Sequence, residues 1–396
     1  MSMLLCLAII TPLHCIAPEP IQGPASPAPV ALSSQGQNGF EDYARAAEWL
    51  LDAGPEFDKL IGEAYYPSGR SFLEAQRELV SRYGQALEWV RNGNAKQASY
   101  PEGRPSLDQA KATGFSRIAK LFNAEAYVHF ADGKTSAGLQ SLLNALQFSE
   151  GVEVGPTSFS FFAHGSRGIF FSLLNDHLPE LSLDNAAKVE SFADRILDQT
   201  PGIETTLSYT HTAILNIVEE AFRAAAGAAA APDRIAPMVG LIRGHSVGQR
   251  EALKQDVIRT LNDHFRQIRS NLRDANVSWL VPEETPGTGA ARELLDMIES
   301  TSGIIWRGFR RVHLQDRTRY RLLRLHGKII QYRWTHNRVP ATLADLSDAR
   351  IIQDPLSRTR FEYKPLSPTT FELFSRGSPD TGPVFLSLRG RVAPPP

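Results

Sequence analysis

Apolar positions recur every three or four residues along most of the chain, a period that predicts a succession of helices. From Phe40, the residues Tyr43, Ala46, Ala47, Leu50 and Leu51 keep that step, and Leu51-Asp-Ala-Gly-Pro55 predicts the close of the first helix. Ser71 opens a second over 72–90, with Phe72, Leu79, Tyr83, Leu87 and Val90 apolar and Asn92-Gly93-Asn94 as its stop. Further helices are expected at about 116–130, 135–148, 183–198, 203–226, 248–273 and 290–300. The pair joined by Ala131-Asp132-Gly133 carries small residues at Ala126, Gly138 and Ala145, as a tetratricopeptide hairpin would. No second copy stands at a period of roughly 34 residues, so a generic antiparallel pair explains it better. The apolar block at 159–174 is broken by two glycines, and Ala224 to Pro232 is low in complexity and predicts a hinge at 224–237.

Beyond the Pro- and Gly-rich linker at 282–289 the pattern changes. One long helix, about 304–335, has the stripe Ile305, Phe309, Val312, Tyr320, Leu323, Ile330 and Trp334. A short turn at 343–346 leads to three aromatic or alternating runs, 360–364, 371–375 and 384–388, which read as strands. The expected fold class is mainly α: antiparallel helix pairs, possible TPR-like pairing among them, with a small C-terminal α+β module of one long helix and a three-stranded antiparallel sheet. The expected order is a signal peptide at 1–17, a Pro-rich tether at 18–39, a helical domain at 40–302, the α+β module at 303–391 and a tail at 392–396.

The N-terminus changes the picture of where the chain works. Leu4 to Ala17 is apolar, too short to span a bilayer as a helix and interrupted by Pro12, so an export signal is the favoured reading. Lipid attachment through Cys15 and a buried N-terminal strand stay open. Cys6 and Cys15 are the only cysteines, and a mature chain without that segment has neither disulfide nor thiolate metal site. With 42% apolar and 21% charged residues the chain has material for real cores.

The order Tyr332-Arg-Trp-Thr-His-Asn-Arg-Val-Pro340, Leu343, Leu346, Asp354-Pro355-Leu356-Ser357, Phe361, Tyr363, Phe371, Leu373, Phe374, Ser375, Gly377 and Asp380 resembles the C-terminal module of type II secretion pseudopilins. It is similar also to uncharacterised bacterial extracytoplasmic proteins in which such a module follows a helical domain. The resemblance covers about 319–383 and implies an α+β module in an exported protein. Assembly into a pilus is not implied, because the helix here is internal and rich in arginine. Calcium is not expected in the last loop, where Asp380 is the one carboxylate and calcium needs six or more oxygens.

Candidate chemistry is sparse. Gly244-His245-Ser246-Val247-Gly248 matches a nucleophile elbow, and a strand at 238–242 before a helix from Gln249 would suit it. The helices before it supply no parallel sheet, so a serine hydrolase using Ser246 is the second reading. Glu125 and His129 share a helix face and could offer two metal ligands, but a structural pair is favoured; no cofactor is expected.

Charge carries the strongest regional signal. Formal net charge is -1, yet 303–391 holds 17 Lys+Arg against 7 Asp+Glu, so the remainder is acidic. Arg310, Arg317, Arg321, Arg324 and Lys328 line one face of the long helix, with Asp316 the acid nearby. That face is expected to dock on the acidic helical domain or to meet an anionic surface. The expected role is non-enzymatic interaction or envelope organisation. Its partner would be an unknown protein or envelope component, and nucleic acid is disfavoured.

Overall fold

Local chemistry starts and stops the helices. Asn38 accepts the Phe40 N–H at 3.0 Å and opens α1 (Gly39–Asp52). The expected stop at Gly54-Pro55 is instead a junction: Gly54 takes φ of 58°, and Pro55 lies in the first turn of α2 (Gly54–Tyr65), where its missing N–H breaks no bond. Ser71 and Glu74 form a reciprocal capping box at the start of α3 (Phe72–Asn94). Gly133, with φ of 72°, turns α4 (Gln109–Ala131) into α5 (Thr135–Glu153) as a helical hairpin. There follow α6 (Thr157–His177), α7 (Leu183–Gln199), α8 (Ile203–Ala225), α9 (Ala236–Arg243), α10 (Val247–Arg273), α11 (Gly289–Ser302) and α12 (Phe309–His336).

The computed structural model describes residues 38–65, 71–100, 109–154, 157–199, 203–227, 231, 233–273, 287, 289–302, 309–346, 352–378 and 381–386. The expected signal, nearly all of the tether, most of the 282–289 linker, Asp380 and the tail lie outside them. All the described residues belong to one compact unit, Gln37–Pro396. The fold is mainly helical, closed by a two-stranded antiparallel sheet in which β1 (Glu362–Pro365) pairs with β2 (Phe371–Phe374), Glu362 opposite Phe374. Val384, where a third strand was expected to begin, makes an isolated bridge to Ser375.

Two apolar cores divide the chain. The first joins α1–α7 with α12 and the C-terminal hairpin; the second joins α8–α11. Residues at the two ends of the expected 224–237 hinge, Ala224 and Ala225 at one and Ile235 and Met238 at the other, share the second core, and the division falls between α7 and α8. The long helix α12 is continuous with the first core rather than with a separate module. The chain therefore leaves the first core after α7, builds the second, and returns. Close approach holds the first core together. A Cβ on Gly114 of α4 would lie 2.5 Å from the Ala47 Cβ of α1, and one on Gly327 of α12 would lie 3.0 Å from the Ala186 carbonyl of α7.

Candidate functional site

The basic face of α12 is the first place to look. Arg324 pairs with Asp194, Lys328 Nζ lies 2.8 Å from Glu190, and Arg317 donates to the Ile196 carbonyl at 3.2 Å, all on α7. Arg321 turns to the other side and donates to the Gln353 carbonyl at 3.1 Å. Burial, aided by Arg317, lowers its pKa from the ordinary arginine value. Burial raises the carboxyl of Asp194 despite Arg324. The side chain of Arg310 lies outside the described residues.

Beneath that face is an ionic cluster that sequence reasoning did not assemble. Arg167, on α6 and 1% exposed, donates to Asp316 at 2.6 Å and to the Ser149 carbonyl at 3.2 Å; it also pairs with Glu150 at 2.8 Å and with Glu153. His164 Nδ1 meets Asp316 at 2.8 Å, His313 Nδ1 meets Glu153 at 3.3 Å, and Arg319 reaches Asp316 at 3.3 Å. Burial opposes ionisation of both acids, but Arg167 and His313 bring Glu153 down to about 2, while His164 and Arg167 hold Asp316 well below the carboxylate range. Burial by itself would lower the Arg167 pKa; Glu150, Glu153 and Asp316 outweigh it and hold the guanidinium well above its ordinary value. Ionised carboxylates accept only, so the facing histidine nitrogens carry their hydrogens. Sequence signals existed: His164 and Arg167 stand in an apolar block, and Glu150 and Glu153 end an apolar helix. The cluster fastens α12 to α5 and α6.

A groove lies on the other side of α7. Its volume is about 690 Å³, within the range of small-ligand and peptide sites. Asn94 and Arg91 of α3 stand at one end; Gln140, Asn144 and Gln147 line the α5 wall; Lys188, Ser191 and Arg195 line the α7 wall. Leu143, Ala187 and Phe192 give it an apolar floor. Asn94 is fixed from two sides, accepting from Tyr43 at 2.9 Å and donating to the Asn144 carbonyl at 2.9 Å. The lining has one hydroxyl, Ser191, and no histidine, so it offers recognition groups without a nucleophile and base pair.

Comparison with protein-family models, with curated proteins and with solved structures found no match. The remaining sequence candidates are therefore judged on geometry alone.

Ser246 is exposed between α9 and α10, and its N–H donates to Gln249 Oε1 at 2.9 Å, a helix-capping contact. The strand that an elbow needs before it is helix α9. His245, its neighbour, is engaged with the Leu241 carbonyl at 3.0 Å. Arg250 clamps this junction, donating to the carbonyls of His245 at 2.8 Å, Arg243 at 3.0 Å and Ala225 at 3.3 Å. Glu125 is buried and taken up by Ser141 at 2.6 Å and by Arg91, which leaves it a structural group. Among the described residues no group of three or more His, Cys, Asp or Glu is arranged to hold a metal. Asp354, from the Asp-Pro-Leu-Ser string, is fully buried and accepts from Leu356 N–H at 3.0 Å and from the hydroxyls of Ser357 at 2.5 Å and Ser375 at 2.7 Å. It ties the loop before β1 to the end of β2.

Proposed function

We propose that this chain is an exported, non-enzymatic binding protein of the cell envelope, and that it holds its partner in the groove between α3, α5 and α7. The observation that carries this is the groove itself: amides and cations over an apolar floor, between antiparallel helices. The short apolar N-terminal segment and the Pro-rich stretch after it support export. No helix among the described residues is long and apolar enough to cross a membrane. The hairpin after α12, with the isolated bridge between Ser375 and Val384 beside it, supports a pseudopilin-like module serving as a cover for the first core.

A photo-crosslinking side chain at Ser191, in the native host, tests the reading. The expected result is a discrete envelope crosslink that is lost when the crosslinker is moved to an exposed position on α10, such as Glu251. Equal crosslinking from both positions, or a cytoplasmic full-length protein with Met1 retained, would refute it. Fluorophosphonate labelling of Ser246, lost in Ser246→Ala, would replace it with hydrolysis.

A further inference from the structure

We propose, on the basis of the binding reading above, that the groove takes an acidic peptide in a polyproline II conformation. The charge is the starting point. Arg91 is already matched by Glu88 and Glu125, so it adds little free charge. Lys188 and Arg195 are exposed, and no carboxylate among the described residues pairs with either. Arg195 is braced instead: it donates to Gln147 Oε1 at 3.2 Å and lies 5.4 Å over the Phe192 ring. Asp184 is the one acid on the rim.

The spacing then selects a conformation. Lys188 and Arg195 are seven residues apart on one helix, which places them about 10.5 Å apart along α7. A polyproline II chain returns to the same face every three residues, about 9.3 Å, so carboxylates at every third position meet both cations. A β-strand repeats its face about 6.7 or 13 Å apart, a poorer match.

The opposite wall fits the same ligand. A polyproline II backbone makes no internal hydrogen bonds, so its carbonyls need donors from outside. Gln140, Asn144 and Gln147 follow one another on α5 at steps of four and three, and their carboxamides both donate and accept. The floor of Leu143, Ala187 and Phe192 suits proline rings, for which a polyphosphate backbone has no counterpart. Two unmatched cations beside an acid also make a poor track for nucleic acid, which rewards long rows of basic residues.

The test uses the mature protein and fluorescein-labelled peptides of three Glu-Pro-Pro repeats, three Gln-Pro-Pro repeats and glutamates at the same spacing in a Gly-Ser background, read by anisotropy. The expected order of affinity is Glu-Pro-Pro first, with the other two at least about fivefold weaker. Lys188→Glu combined with Arg195→Glu, both exposed positions, should lower Glu-Pro-Pro affinity about tenfold or more with an unchanged circular dichroism spectrum. Asp184→Asn should raise it about twofold. Equal binding of the Gln-Pro-Pro peptide overturns the charge argument, and equal binding of the Gly-Ser peptide overturns the conformation. Tighter binding of a single-stranded oligonucleotide overturns the peptide class, and no saturation by about 1 mM overturns the proposal whole. In each of these cases a Ser191 crosslink would leave the binding reading standing, so the two fail separately.

Discussion

The core of α1–α7 and α12 buries two guanidiniums, three carboxylates and a histidine at its seam, whereas the core of α8–α11 buries no charged side chain among its described residues. The second core keeps its guanidinium groups at the edge, where Arg243 and Arg250 satisfy the carbonyls that close α8. Helices consecutive in sequence find each other through short connections, and apolar packing with capped ends is enough for them. α12 arrives after a whole intervening unit. The network around Arg167 gives it one register, since sliding by a turn would take the buried Asp316 away from Arg167 and His164, and His313 away from Glu153.

The sharpest way to break this contrast is Arg167→Met. Removing the one cation shared by Glu150, Glu153 and Asp316 should cost about 3–5 kcal/mol in urea denaturation. Hydrogen exchange should show the loss in α5, α6 and α12 while α8–α11 keep their protection. Leu261→Ala is the counterpart in the second core, where a cavity should cost about 2–4 kcal/mol. Its exchange pattern should be the reverse; uniform loss in both variants would mean a single cooperative unit and end the comparison.

Acid should separate the cores in order. Burial lowers His211 and His264 in the second core, and lowers His326 on α12 to about 4, beside the Phe371 ring. An imidazole with a depressed folded pKa binds protons more readily when unfolded. Its stability is complete above the unfolded value near 6.5 and falls as pH drops below it. Glu153 is the carboxylate case: its contribution is complete above its unfolded value near 4.5 and is lost as pH falls toward about 2. Exchange at pH 7, 5.5 and 3.5 should show α8–α11 and the hairpin end of α12 softening first, with the Arg167 seam persisting to the lowest step.

The smallest effect belongs to the most visible feature of the sequence. Lys328→Ala and Arg324→Ala remove partly exposed pairs with Glu190 and Asp194, and each should cost less than about 1 kcal/mol by thermal melting. A larger loss would move part of the docking energy from the buried seam to the surface stripe.

The helical character of the chain was legible because apolar period and caps are local. Ser71 with Glu74, the Asp-Gly turn before α5 and the run into α12 all stand in sequence as they do in space. α2 was passed over although Phe57, Leu60, Ile61 and Ala64 keep the helical step, because Gly54-Pro55 reads as a stop when it also reads as a start. α9 has an apolar run short enough to suit a strand. The ionic cluster was invisible for a different reason: Arg167 and Asp316 are 149 positions apart, and nothing local tells a buried charge from a solvated one. The groove is of the same kind. The steps of Gln140, Asn144, Gln147 and of Lys188, Arg195 lie in the text, but concavity comes from stacking α5 beside α7.

The return of α12 also sets a clock. Tyr320 packs edge-on against Phe171 at 5.2 Å and stands 6.4 Å from Phe192, so those rings wait for a partner that the ribosome makes only after the whole of α8–α11. At ordinary synthesis rates that wait is on the order of ten seconds, far longer than a helix needs to form. During it the nascent protein shows an aromatic face with its charges already in place on one side. Aggregation and chaperone capture would compete there, and a chain cut before α12 would keep that face open for its lifetime.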